Sequence, residues 1–89
     1  MKIKENYVLQ KVGDDCIVVP IAEEADRLHG VVSLNETGEY LWRRLLEGVE
    51  LKSELETDLI QEYGISPDLA HNDVDSFILQ LDSIGCLED

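Results

Sequence analysis

The fold is decided by the stretch HGVVSLNETGEYLWRRLLEG, which runs from His29 to Gly48. Its first part contains β-branched residues, which favour a strand. Asn35 follows, and its side-chain oxygen can accept from an unpaired amide in the first turn of a helix. Beyond it, residues of an amphipathic helix recur at steps of three and four: Gly38, Leu41, Trp42, Leu45, Leu46 and Val49. Gly48 is expected to end the helix in the left-handed conformation. The stretch therefore predicts a strand that leads directly into a helix, with Trp42 buried.

Two more strands are predicted upstream of this stretch. Tyr7 to Val12 is rich in strand-forming residues, Gly13 opens a turn, and Cys16 to Pro20 reads as a strand that pairs back on the first. The third strand is predicted over Leu28 to Leu34, with a bulge or kink at its glycine. The segment between Pro20 and Leu28 is interpreted as a loop or short turn, and its pairing stays open.

Two more helices are predicted downstream. The first spans about Lys52 to Tyr63 and ends at Gly64. The second begins at the cap signal of Ser66 followed by proline and runs to about Ile84. After it, Cys86-Leu87 is expected to pack or pair as a short tail. Their apolar faces consist of Leu55, Leu59, Ile60 and Tyr63, and of Ala70, Val74, Phe77, Ile78 and Leu81. The order of three strands and three helices predicts one α+β domain over residues 1–89, winged-helix-like, with a small three-stranded antiparallel sheet.

The charge of the chain limits its partners. Seven basic and twenty acidic residues give a formal net charge of −13. Nucleic acids and anionic membrane surfaces bind through Lys and Arg, so both are disfavoured, and a basic peptide or protein surface is favoured. No apolar run approaches the roughly 20 residues that a membrane helix needs, and no signal peptide is visible. We therefore expect an acidic, cytoplasmic protein.

No catalytic or metal-binding pattern stands out. His29 and His71 have no neighbouring residues at metal-ligand spacing, and Cys16 and Cys86 are predicted to be buried thiols. Phosphate loops and nucleophile elbows are missing, so the sequence predicts neither an enzyme nor a cofactor. The run from Asp82 to Ile84 is similar to the attachment motif of acyl carrier proteins, but its serine lies at a helix end, where no room remains for a carrier bundle.

Several motifs together resemble the PqqD family, the RiPP (ribosomally made, modified peptide) recognition elements. They cover about Cys16 to Leu87 and are best seen in the run from Val32 to Gly38, followed by Leu41-Trp42, Leu45-Leu46 and Gly48. The resemblance implies a domain that binds the leader of a precursor peptide by strand addition and presents it to a separate maturation enzyme, such as a radical SAM protein. It implies a site on the third strand and the flank of the last helix: Leu28, His29, Gly30, Val31, Val32, Ser33, Leu34, Asp75, Ile78, Leu79 and Asp82.

The residues themselves favour the same flank of the last helix. Leu79 lies off the core stripe and is predicted to be partly exposed, and Asp75 and Asp82 border it, ready for basic neighbours in a peptide. The alternatives are a winged-helix transcription factor and a regulatory or structural subunit without peptide specificity. The first is disfavoured because Pro67 to Ile84 contains no Lys or Arg and carries four aspartates. The oligomeric state stays open.

Overall fold

A computed structural model of the chain describes residues 1–21 and 32–88. Its elements in chain order are β1 (Lys2–Ile3), β2 (Tyr7–Val12), β3 (Asp15–Pro20), β4 (Val32–Leu34), α1 (Glu36–Glu47), α2 (Lys52–Tyr63), α3 (Pro67–Ser83) and β5 (Leu87–Glu88). The predicted third strand is therefore present as β4, and its first part, Leu28 to Val31, lies outside the described residues. The loop predicted before it lies almost wholly outside them as well.

Strands β2, β3 and β4 form an antiparallel sheet in that order. A tight turn joins β2 to β3, with Val12 opposite Asp15. Gly13 takes a φ of 66° in this turn, a conformation that glycine adopts without steric cost. Strand β4 adds to the other side of β3, with Ser33 opposite Ile17. Together with the three helices, this sheet confirms the predicted α+β, winged-helix-like class.

A second, two-stranded sheet joins the two ends of the described chain. β1 pairs antiparallel with β5, and the Lys4 amide donates to the Cys86 carbonyl at 2.9 Å. The Tyr7 hydroxyl donates to the Ile84 carbonyl at 3.0 Å and ties β2 to the same region. The sequence predicted a tail that packs or pairs at Cys86-Leu87, but not its partner β1. A strand of two residues is too short to show the alternation from which strands are predicted.

The helices begin and end where their caps predict. The side chains of Asn35 and Ser66 accept first-turn amides at 2.9 and 3.2 Å. Gly64 ends α2 in the left-handed conformation, with a φ of 65°. Gly48 ends α1 with a φ of 90° and a ψ of 130°, so it uses the freedom of glycine but not the left-handed helical conformation that we expected.

The helices and the sheet share one core. Trp42 is 2% exposed, which confirms its predicted burial. Leu46 is 61% exposed, so its predicted place on the buried face of α1 is wrong, because the buried arc ends at Leu45. The buried side chains are Ile3, Tyr7, Cys16, Val18, Val32, Leu34, Leu41, Trp42, Leu45, Val49, Leu55, Leu59, Ala70, Val74, Phe77, Leu81, Ile84 and Cys86.

Both cysteines are buried free thiols, as predicted. The Sγ atom of Cys16 donates to Oε2 of Glu39 at 3.2 Å, and this bond, with burial, raises the pKa of the Cys16 thiol. The same bond lowers the pKa of the Glu39 carboxyl. Burial raises the pKa of Cys86 to about 11. Since only the thiolate is a nucleophile, the fold holds both cysteines in an unreactive form.

We expect both thiols to react slowly with iodoacetamide in the folded protein at pH 8. With a pKa of about 11, roughly one Cys86 thiol in a thousand is ionised at that pH. In urea-unfolded protein the thiol pKa returns to about 8.5, so alkylation of Cys86 should be at least about 100-fold faster, and alkylation of Cys16 should also be faster. Mass spectrometry of quenched time points measures both rates. Rapid alkylation of the folded protein would contradict the buried placement of these residues.

Candidate functional site

A hydrogen bond one residue after the end of β3 shows which backbone groups of this strand face β2. The Ile21 amide donates to the Asn6 carbonyl at 2.8 Å, which continues the pairing of β3 with β2. Because backbone groups alternate in direction along an antiparallel strand, the odd-numbered residues of β3 bond toward β2. The even-numbered residues Cys16 and Val18 therefore direct their amides and carbonyls toward β4.

This alternation leaves the backbone of Ser33 at the open edge of the sheet. Cys16 lies opposite Leu34, and Val18 lies opposite Val32, so these two residues of β4 bond to β3. Ser33 between them directs its amide and carbonyl away from β3. Among the described residues, β4 has no strand on that side. An extended peptide that approached this edge would meet one donor and one acceptor in the geometry of a strand.

A groove of about 310 Å³ lies beside this edge, between the junction of β4 with α1 and the facing side of α3. Leu34, Leu41 and Phe77 supply its apolar surface, and the rest of its lining, apart from Gly38, consists of polar residues. On the strand side it is lined by Ser33, Leu34, Asn35, Thr37, Gly38 and Leu41, and on the α3 side by Asp73, Ser76, Phe77 and Gln80. The groove thus combines an open strand edge with a wall that carries one carboxylate.

The junction of β4 with α1 is tightly built. Oδ1 of Asn35 accepts from the Gly38 amide and from the Thr37 hydroxyl, both at 2.9 Å. A Cβ atom added at Gly38 would lie 3.2 Å from Cβ of Leu34. Only glycine lets the first turn of α1 approach the strand this closely without displacing Leu34. The cap and the close approach hold the strand side of the groove in place.

The structure brings together some of the predicted site residues and separates others. Val32 and Leu34 lie on β4 with their side chains buried, and the exposed Ser33 lines the groove. Leu28, His29, Gly30 and Val31 lie outside the described residues. The four residues predicted on the last helix are not part of the groove lining beside β4: Asp75, Ile78, Leu79 and Asp82.

These four residues lie on other sides of α3. Asp75 contacts Lys52 of α2 and Nε2 of His71, the latter at 3.1 Å, and the bond to Lys52 lowers the pKa of its carboxyl. Ile78 and Asp82 line a separate depression near Met1 and Leu87. Leu79 is 69% exposed, which confirms its predicted exposure.

Asp73, Ser76 and Gln80 line the α3 side of the groove, but the sequence did not identify them as site residues. The reason is physical. Successive residues of a helix turn by about 100°, so the apolar stripe of α3 has a polar border on each side. The sequence gives the direction of the stripe but not which border faces β4. The sequence does show small or polar residues at steps of three and four next to Phe77, and this row marks one of the two polar borders. Choosing between the two borders needs the path of the chain.

A second groove, of about 360 Å³, lies between β2 and α1. It exposes part of Val8 and Leu46, and it contains the ion pairs of Glu39 with Lys11 at 3.6 Å and with Arg43 at 2.6 Å. Its carboxylate is thus already bound to cations from the same chain. This groove differs in that respect from the one beside β4.

No group of three or more His, Cys, Asp or Glu residues in the described part of the chain is arranged to hold a metal ion. Across residues 1–21 and 32–88, no helix has both the length and the apolar character needed to cross a membrane.

Comparison with known proteins gives a family match and two structural likenesses. The family model described as coenzyme PQQ synthesis protein D (PqqD) matches residues 16–87. A solved structure of TbiB1 in complex with the TbiA(beta) leader peptide is 22% identical, with a TM-score of 0.74 over 99% of this chain and 95% of that one. A lasso peptide synthetase B1 complexed with the leader peptide is 16% identical, with a TM-score of 0.72 over 99% and 96%. No curated protein matches significantly. At these identities, the likenesses show a shared fold.

Proposed function

Because this chain belongs to the PqqD family, we propose that it binds the leader of a ribosomally made precursor peptide as an added strand on β4. The observation that carries the proposal is the backbone of Ser33, which faces an open edge beside a groove walled by α3. In strand addition, main-chain bonds give affinity and side-chain pockets give specificity. The solved structures of similar fold that hold leader peptides support the same use of the fold here.

The other edge of the sheet, β2, is less suited to a peptide. The Tyr7 amide already donates to the Lys4 carbonyl at 3.3 Å. Lys11, with a side chain that is 66% exposed, lies near the opposite end of the strand. Exposed lysines are a common means by which natural sheets prevent pairing at an edge. The open edge of β4 has the groove beside it and no lysine among its three residues.

In this proposal the chain binds and does not catalyse. It presents the leader to a separate modifying enzyme, such as a radical SAM protein, so that the part of the precursor beyond the leader reaches the enzyme. The encounter takes place in the cytoplasm, where ribosomes make the precursor. Holding the leader raises the effective concentration of the substrate at the enzyme, without any reacting group on this chain.

Binding to DNA through α3, as in winged-helix transcription factors, is the alternative that the charges disfavour. Pro67–Ser83 carries four aspartates and no Lys or Arg. Phosphate contacts, which supply a large part of the affinity for DNA, require basic side chains at such a surface. The remaining alternative, a subunit without peptide specificity, is addressed by the following experiment.

We expect Ser76→Arg to weaken peptide binding about tenfold, because filling a close-fitting groove costs about 1–3 kcal/mol. The matched variant Leu79→Arg adds the same side chain at an exposed position of the same helix, and we expect its Kd to stay within about twofold of the wild type. The measurement is fluorescence anisotropy with labelled synthetic peptides that tile the short reading frames encoded beside this gene. Thermal unfolding of both variants serves as the folding control.

The opposite result would place the binding site on a different side of α3. If Leu79→Arg weakens binding and Ser76→Arg does not, the peptide lies on the flank that contains Asp75, Ile78 and Asp82, as the sequence predicted. Amide chemical shifts of the labelled protein provide a second measurement. Shifts confined to β2 and α1 would place the peptide in the second groove and would contradict the proposal.

A further inference from the structure

The half-buried carboxylates of this protein differ in whether a basic side chain lies next to them. Among the described residues, five Asp and Glu side chains are of intermediate burial. Four of them lie within 4.0 Å of a basic side chain: Glu39 (with Lys11 and Arg43), Glu56 (with His71), Asp58 (with Arg44) and Asp75 (with Lys52 and His71). The fifth, Asp73, has no such contact with any described residue. It is also the one that lines the groove beside β4.

A carboxylate that is partly withdrawn from water is stabilised by a nearby positive charge. Among the described residues, the basic side chains that contact half-buried acids come from β2, α1, α2 and the first turns of α3, and none of them lines the groove. A cation that reaches Asp73 through the open groove can be supplied by a bound molecule. The formal net charge of −13 favours the approach of such a cation to the protein as a whole.

The lining of the groove matches a long basic side chain. Phe77 and Leu34 offer apolar surface, and Asp73 lies on the α3 wall beside Ser76. Lys and Arg have an apolar stem and a charged head, and they bury the stem while the head finds a polar partner. A volume of about 310 Å³ lies at the lower end of ligand pockets, which suits one or two side chains of an extended peptide.

We infer that Asp73 determines specificity in the proposed leader complex, by binding a Lys or Arg side chain that enters the groove from the peptide on β4. The inference rests on the proposed function and adds the chemistry of the peptide to it. The charge of the whole protein attracts basic peptides to many places, whereas a single carboxylate in a groove selects a basic residue at one position relative to the strand.

The test is a selection from a displayed library of random peptides against four whole-chain proteins: the wild type, Asp73→Asn, Asp73→Lys and Asp82→Lys. The last variant is the matched control, because it makes the same change in net charge at an exposed position outside the groove. We expect wild type and Asp82→Lys to enrich Lys or Arg at one fixed position of the selected peptides. Asp73→Asn should lose this preference, and Asp73→Lys should replace it with Asp or Glu.

Titration of one selected peptide completes the test. We expect Asp73→Lys to raise the Kd of the basic peptide at least about tenfold, and to regain affinity when the basic residue of the peptide is replaced by Glu. A basic preference that survives in Asp73→Lys, or that Asp82→Lys weakens equally, overturns the inference. If binding of the selected peptides depends on Ser76 but not on Asp73, the inference about Asp73 fails while the proposed function stands. If no peptide is selected whose binding depends on Ser76, both fail.

Discussion

Leu45→Ala is expected to lower the free energy of unfolding by about 2–5 kcal/mol. The residue is 0% exposed on the inner face of α1, so alanine leaves a cavity among the surrounding core side chains. Its neighbour Leu46 is 61% exposed, and Leu46→Ala should change the free energy of unfolding by no more than about 0.5 kcal/mol. The two variants remove the same atoms from consecutive residues of α1, so helix propensity changes equally in both.

Urea unfolding followed by circular dichroism measures the two effects. Small domains are stable by only about 5–15 kcal/mol, so Leu45→Ala should move the unfolding midpoint far below that of the wild type. The slope of the transition should stay unchanged in both variants, which shows that the midpoints report stability. Equal losses in the two variants would mean that α1 packs with a different face, and the register of its core contacts would then be wrong.

Most of the fold is predictable because its signals are local. The N-cap at Asn35, the hydroxyl and proline at Ser66-Pro67, and the glycines after the helices each act within a turn of the chain. The same holds for the hairpin of β2 and β3, where the turn residues and the flanking strands are adjacent in sequence. The pairing of β1 with β5 joins residues from opposite ends of the chain, and no local pattern indicates such a partner.

The candidate site was only partly predictable. The strand of Val32 to Leu34 follows from its composition and from the helix start behind it. The Ser33 backbone lies at the open edge because of the register of three strands. The sequence does not give this register. The wall of the groove depends on how α3 is rotated about its own axis. That rotation is set by contacts of α3 with α2 and with the rest of the core, so it depends on how several elements of the fold are placed.

Ser33→Pro tests the proposed strand addition at a single backbone group. The Ser33 amide points away from β3, so proline removes a donor to the peptide without removing a bond inside the sheet. We expect Kd for the leader peptide to rise about 30-fold, because leaving a peptide carbonyl unpaired costs about 2 kcal/mol. Ser33→Ala keeps the amide and removes only the exposed hydroxyl, and its Kd should stay close to that of the wild type.

A third variant separates loss of binding from loss of folding. The Val32 amide points toward β3, so Val32→Pro should break a bond of the sheet and lower the melting temperature, whereas Ser33→Pro should leave it nearly unchanged. Anisotropy titration and thermal unfolding of all three variants provide the two measurements. If Ser33→Pro binds as tightly as Ser33→Ala while remaining folded, the peptide does not use this amide. The leader would then be held by side chains in the groove and not as an added strand, and Ser76→Arg would weaken binding more than Ser33→Pro does.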